Sequence, residues 1–169
     1  MRYSIRSIAS PAISVRRLGA LDAAHLEAHC LRLAPHDALN LFGAQAEPIA
    51  VRRYLAGVDF HWDIILAGLE REGTVRATAR VRTQRGSRWA ELLPAREHNW
   101  VAAEQWNEII CAAVESARTA SIGWLSVASL GYDPETRDAL RLAGFDLQAE
   151  ADGTIGELCL GHERNRRVA

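Results

Sequence analysis

Lysine is missing from this chain of 169 residues, in which all 20 basic residues are arginine. The chain therefore carries no ε-amine, and any acyl transfer it performs must, apart from its own N-terminus, have its acceptor on another molecule. The bland source of the bias is codon usage in a GC-rich genome. Basic surplus is missing too. Twenty arginines face 21 acidic residues, for a formal net charge of −1, and nucleic-acid binding usually announces itself as a basic excess or stripe. Cysteine is scarce. Cys30, Cys111 and Cys159 are odd in number, far apart and without C-x-x-C or Cys/His spacing, which excludes a zinc or disulfide framework and leaves buried structural thiols as the expectation. No run of 18 apolar residues occurs, so no membrane helix is expected. The opening MRYSIRSIASPAISVRR has no sustained apolar core of the kind that secretory signals carry. A cytoplasmic location without a membrane partner follows as the expectation. No G-x-S-x-G elbow, phosphate-binding P-loop, internal repeat or low-complexity stretch is present.

What is there suits a single globular domain: hydrophobic residues make up 49% and charged residues 24%, enough for a sizeable core. Residues 1–12 read as a lead-in, 13–161 as the domain, and 162–169, with three arginines, as a solvated tail. A first strand is expected over 13–18. Asp22 then caps a helix to about residue 32, with Leu26, Cys30 and Leu33 on its inner face. Pro48 opens a second helix to residue 56. Residues 64–70 and 74–82 form a hairpin turning at Arg71-Glu72-Gly73. In its second strand Val75, Ala77, Ala79 and Val81 point one way and Arg76, Thr78, Arg80 and Arg82 the other. A strand at 89–93 follows. A long helix over 100–118 then carries Ala102, Trp106, Ile109, Ala113 and Ala117 on one stripe, with Ile110 and Val114 beside it. Strand 124–130, helix 134–143 closed by Gly144, and a hairpin turning at Asp152-Gly153 complete the chain. This order predicts an α/β (α+β) fold, a mixed and mostly antiparallel sheet of six to seven strands with helices on both faces.

Four segments in this order carry a family resemblance. They are ISVRRLGALDAAHLEAHCLRLAPHDALNLFG, YLAGVDFHWDIILAGLE, RWAELLPAREHNWVAAEQWNEIICAAVESAR and DPETRDALRLAGF. Together they resemble the GCN5-related N-acetyltransferases over roughly residues 13–160. The second segment, with its Val58-Asp59-Phe60 element, looks like the branch also found fused to acyl-CoA-synthetase-like protein acetyltransferases. The resemblance implies acetyl-CoA as cofactor and a small-molecule or protein amine as acceptor. In the family, a glycine-rich bend between the fourth strand and the central helix holds the CoA diphosphate on backbone N–H groups. Here the bend reads Val101, Ala102, Ala103, Glu104, Gln105 and Trp106. Glycine is absent from it, Ala103 stands where the loop arginine is usual, and Glu104 adds a carboxylate. A carboxylate about 6 Å from a phosphate, at an effective dielectric of about 20, disfavours binding by roughly 3 kcal/mol, or about two decades of affinity. A plainer reading of the same residues makes Asn99 a helix cap, Glu104 a dipole-favouring first-turn acid and Trp106 a core residue.

By resemblance, the backbone of Leu92 and Leu93 on the fourth strand and Asp133 in place of the motif's asparagine line the cofactor site. Glu91 falls where many members carry a general base; equally, it suits an ion pair with Arg80 or Arg82. The tyrosine acid of the family falls on Leu140, which leaves Tyr132 as the substitute by proximity. His25 and His29 have a metal-ligand spacing without a third ligand and are read as surface histidines. The five tryptophans suit core packing, and equally a contact surface in a homodimer. Two functional readings follow: an acyl-CoA-dependent N-acetyltransferase with an altered CoA site, or a catalytically silent binding or assembly module on the same fold.

Overall fold

The computed structural model describes residues 13–97, 100, 103–129, 133–150 and 153–161. The chain opens with β1 (Ser14–Arg17), a 3-10 turn, and three short helices, α1 (Ala23–Cys30), α2 (Pro35–Phe42) and α3 (Pro48–Ala56). An antiparallel meander follows: β2 (Ile64–Leu69), β3 (Val75–Thr83) and β4 (Trp89–Arg96). Then come α4 (Ala103–Thr119), β5 (Trp124–Ser129), α5 (Pro134–Leu142) and the hairpin of β6 (Asp146–Glu150) and β7 (Gly153–Cys159). Among the described residues seven strands form one sheet in the order β1-β2-β3-β4-β5-β7-β6, in which only the β4–β5 pair is parallel.

The reason for this layering is legible in β2. Its sequence IILAGL is apolar throughout and every residue is buried, as expected of a strand covered on both faces. Ile64 and Leu66 enter the core under α4 and α5, with Trp106, Ile109, Ile110, Ala113 and Leu140. Ile65, Ala67 and Leu69 enter the core under α1 and α3, with Leu18, Leu26, Cys30 and Val51. The 17-residue α4 is amphipathic, and its buried stripe of Trp106, Ile109, Ile110, Ala113, Val114 and Ala117 is the one its spacing predicts.

Several expectations need correction. The 74–82 strand is not a clean alternation: Gly68 pairs with Ala77 and Leu69 with Val75, leaving Arg76 as a bulge residue. The extra residue sends Val75 into the α1–α3 core while Ala77, Ala79 and Val81 face α4. Helix α2 has no counterpart among the expected elements. It is two turns long, begins on Pro35 and is closed by Gly43 at φ 68°. Asp22 precedes α1 but does not cap it by side chain; its carboxylate is taken by Arg16 and the Gly19 N–H. Of the three thiols only Cys30 is buried, Cys111 being half-buried and Cys159 exposed. The residue-152 end of the last hairpin lies outside the described residues.

Close packing makes the sheet intolerant at Gly156, which pairs with both Val127 and Leu147. A β-carbon there would overlap a Leu147 methyl, lie 2.9 Å from Val127 Cγ2 and 3.2 Å from the Asp146 carbonyl. Gly156→Ala should destabilise the protein by about 1–3 kcal/mol, measured as a lower urea midpoint. An unchanged midpoint would show that β6 can shift away without loss.

Candidate active site in the wedge between the fourth and fifth strands

The parallel ladder between β4 and β5 has only three paired positions, Trp89↔Trp124, Ala90↔Leu125 and Glu91↔Ser126. Both strands continue, β4 to Arg96 and β5 to Ser129, but no longer with each other. Two strands that share a ladder and then part open a wedge at their carboxyl ends, where the topology of an α/β sheet places ligands. Helices α4 and α5 begin on either side of this opening.

The β4 side of the wedge is partly spent. Glu97 N–H bonds the Arg76 carbonyl on the β3 side at 3.0 Å, so by strand alternation Leu92, Pro94 and Arg96 turn their backbone groups toward the opening. Pro94 has no N–H to offer there. Arg96 N–H already donates to Asp37 of α2 at 3.4 Å, and Leu33 bridges Glu97 in antiparallel sense. Across the mouth, Arg96 holds the start of α5 through Asp133 at 2.7 Å and Glu135 at 2.6 Å. Asp133 also caps α5 by accepting from the Thr136 N–H at 3.1 Å and its hydroxyl at 2.8 Å. His36 lies 3.4 Å from Asp37 and 3.7 Å from Asp133. Burial pushes the Asp37 carboxyl up to about 6 despite His36 and Arg96 nearby. For Asp133, burial acts upward, but the Thr136 hydrogen bonds and Arg96 outweigh it and hold the carboxyl below its usual value.

Of the residues marked by resemblance, Glu104 and Ala103 lie exposed in the first turn of α4 and Gln105 is half-buried. Trp106 is 1% exposed, and its indole N–H donates to Thr136 Oγ1 at 3.2 Å. The tryptophan thus fastens α4 to α5 within the core, as the plainer reading has it. Leu92 and Leu93 are both buried in β4, and Leu140 is fully buried. Val101, Ala102, Asn99 and Tyr132 lie outside the described residues.

On the α1–α3 side of the same strands, a cleft of about 330 Å³ is lined by residues of the 57–63 loop, β3, the β3–β4 turn and β4. It reaches Glu91 and Ser126, the last pair of the parallel ladder. Glu91 is half-buried there and forms an ion pair with Arg82. Sequence reasoning singled out Glu91 but missed Asp59, Asp63, Trp89 and Ser126, which only the sheet brings around it.

No family model matches the chain, and no curated protein sequence matches it. Solved structures do. A phosphinothricin acetyltransferase of the GNAT superfamily from Sinorhizobium meliloti, in complex with acetyl-CoA, superposes with a TM-score of 0.69 at 13% identity, covering 93% of each chain. The ribosomal-protein-S5-alanine acetyltransferase from Vibrio fischeri gives 0.66 at 12% identity, over 90% of this chain and 96% of that one. The GNAT domain of S. lividans PAT gives 0.64 at 20% identity, over 87% and 90%. The chain has the GCN5-related N-acetyltransferase fold. Within this GNAT fold the fourth strand, the bend leading into α4 and Asp133 are the positions at which the sequence resemblance places acetyl-CoA.

A second cluster of chemically capable groups serves the GNAT scaffold. His29 is not a surface histidine: it is 0% exposed, with Nδ1 3.3 Å from Glu97 Oε1 and Nε2 3.3 Å from Thr78 Oγ1. The hydroxyl, imidazole and carboxylate follow one another as in a nucleophile relay, yet all three are buried and none lines the cleft. Arg32 and Arg76 complete the shell around Glu97 at 2.8 Å each. His25 stays exposed, and no group of three His, Cys, Asp or Glu suited to a metal occurs among the described residues. Burial depresses the His29 pKa, only partly countered by Glu97, so the ring is neutral. For Glu97, burial acts upward, but hydrogen bonds from His29, Arg32 and Arg76 prevail and hold it at about 2.

Both folded values lie below the ordinary 6.5 and 4.5. Each group therefore stabilises the fold above its unfolded pKa, and that contribution is lost on acidification. Asp37, with a raised pKa, has the opposite sign. Stability of His29→Gln should fall less steeply than wild type between pH 7 and 5, measured by urea unfolding at each pH. Parallel slopes would show that His29 titrates normally.

Proposed function

We propose that the protein is an acyl-CoA-dependent N-acyltransferase with an altered CoA site. The observation that carries this reading is the meeting of wedge and cleft at the last ladder pair, Glu91 and Ser126. An acyl donor entering between the strands and an amine entering from the α1–α3 face would converge beside a carboxylate.

The residues fit the two parts of acetyl-CoA unequally. The Leu92–Pro94 edge of β4 offers backbone groups to an extended amide-bearing arm. The first turn of α4 offers the diphosphate no basic side chain, and it presents Glu104. Bound acetyl-CoA supplies an activated acyl carbonyl, and transfer forms a C–N bond while breaking a C–S bond. Glu91 Oε takes the proton that the amine must lose, once Arg82 releases it. Arg82 is half-exposed at the rim, and an exposed ion pair is worth only about 0–1 kcal/mol, so release is easy. The Val58-Asp59-Phe60 element supports the branch also found fused to acyl-CoA-synthetase-like modules.

The second reading, a catalytically silent GNAT-fold module, is favoured by the Arg96 strap to Asp133 and Glu135, which links the end of β4 to the start of α5 across the opening. Thermal-shift titration separates the two. A ligand at 100 times its dissociation constant stabilises a fold by about 2.7 kcal/mol, so millimolar acetyl-CoA should raise the melting temperature under the first reading. No shift would eliminate it. Glu104→Gly should tighten acetyl-CoA by up to about two decades; unchanged affinity would mean that Glu104 does not face the diphosphate. Glu91→Gln should lower kcat by roughly 10²–10⁴-fold, and wild-type turnover would remove Glu91 as the base.

A further inference from the structure

Three elements meet at the end of β4, and ionisable groups join them. Helix α2 brings His36 and Asp37, β4 brings Arg96, and α5 brings Asp133 and Glu135. The Arg96 guanidinium is taken by the two acids of α5, at 2.7 and 2.6 Å. Little is left for Asp37. It is 2% exposed, and the hydrogen bond it accepts from the Arg96 N–H is long, at 3.4 Å. Its other near neighbour is the His36 ring, with Nε2 3.4 Å from Asp37 and 3.7 Å from Asp133.

No other element supplies the missing charge. Helix α3, which packs against α2, carries Arg52 and Arg53 on its exposed side. Glu97, the residue after β4, turns away to His29, Arg32 and Arg76. The first turn of α2 favours a carboxylate slightly, but burial and the facing Asp133 act against it.

Helix α2 is also the most lightly held element beside the wedge. Of its 8 residues only Asp37 and Ala38 are buried, and its apolar contact with the sheet is the small cluster of Ala38 with Leu33 and Ala95. One of its two buried anchors is therefore the carboxylate itself. An element with so few buried apolar contacts opens at low free energy, so the charge on Asp37 weighs heavily on whether it stays docked.

We propose that these groups form a proton-operated clasp between α2 and the end of β4, closed while Asp37 carries a proton and loosened when Asp37 ionises beside Asp133. A proton on His36 acts in the same direction, because the ring lies between the two carboxylates. The clasp does not depend on the acyltransferase reading; it sets how firmly α2 is held at the side of the wedge mouth. Burial fixes its sign. The Asp37 carboxyl is pushed up from 3.8 to about 6. Its contribution to stability is thus fully present below 3.8 and is lost as pH rises through about 6. The His29–Glu97 group that binds α1 has the opposite sign, which makes α1 an internal control.

The test is hydrogen exchange of the full chain without ligand, read by mass spectrometry on fragments covering α2, α1 and β2. It is run at about pH 5 and about pH 7.5, with rates corrected for the intrinsic effect of pH on exchange. Protection of α2 should fall at least fivefold from the lower to the higher pH, while that of α1 and β2 stays level or rises. Asp37→Asn keeps an acceptor for the Arg96 N–H and carries no charge, so in this variant the fall should vanish with a circular dichroism spectrum like that of wild type. Where Asp37→Asn does not fold, Asp133→Asn takes its place. Asparagine still caps α5, and losing the facing charge should shrink the fall at least twofold. Equal α2 protection at both pH values, a fall shared by α1 and β2, or a full-sized fall in either variant would overturn the clasp.

Discussion

A parallel ladder only three residue pairs long governs this protein. Trp89, Ala90 and Glu91 pair with Trp124, Leu125 and Ser126, and then β4 and β5 part. The ladder must be short for a wedge to exist, yet it must be firm, because it alone joins the β1–β4 meander to the β5–β7–β6 half of the sheet. The stacked Trp89 and Trp124 stiffen its first pair. Helix α4, which connects the two strands, is anchored by a fully buried stripe and by the Trp106–Thr136 bond to α5. Glu91 and the cleft that reaches it lie at this junction.

Charge around the junction is arranged in two different ways. On the α1–α3 face, buried Arg80 and Asp63 neutralise each other, and Glu91 pairs with Arg82 at the cleft surface. At the wedge mouth Arg96 is shared between Asp133 and Glu135, with Asp37 and His36 beside them. The two openings of one junction thus differ in how their charges are paired. Activity belongs to such sites and not to the fold that carries them.

The buried His29–Glu97–Thr78 group shows how readily a structural device imitates a catalytic one. Its partners come from α1, the end of β4 and β3, and its net effect is to bind the first helix to the sheet. All three groups are buried and none lines the cleft beside Glu91, and the relay geometry serves packing and polar satisfaction. The same group explains why acid should loosen the protein locally: charging a buried imidazole removes solvation that nothing nearby fully returns.

The linear order of residues was enough to read the architecture. Apolar runs such as IILAGL, the helical stripe of 103–119, and the Pro and Gly punctuation are local signals of period and backbone freedom, and each element they announced is present. Trp106 was legible as a core residue for the same reason, since the helical stripe carries it inward. Other features were not legible, because they depend on residues far apart in sequence or on a register. The bulge at Arg76 that turns Val75 to the other core is set by pairing with β2. The burial of His29 is set by Thr78 and Glu97, 49 and 68 positions away. The strap from Arg96 to α5 and the assembly of Asp59, Trp89, Glu91 and Ser126 around one cleft arise only when the sheet closes. Periodicity says which face a side chain takes, but the sheet register decides which distant charges it must meet.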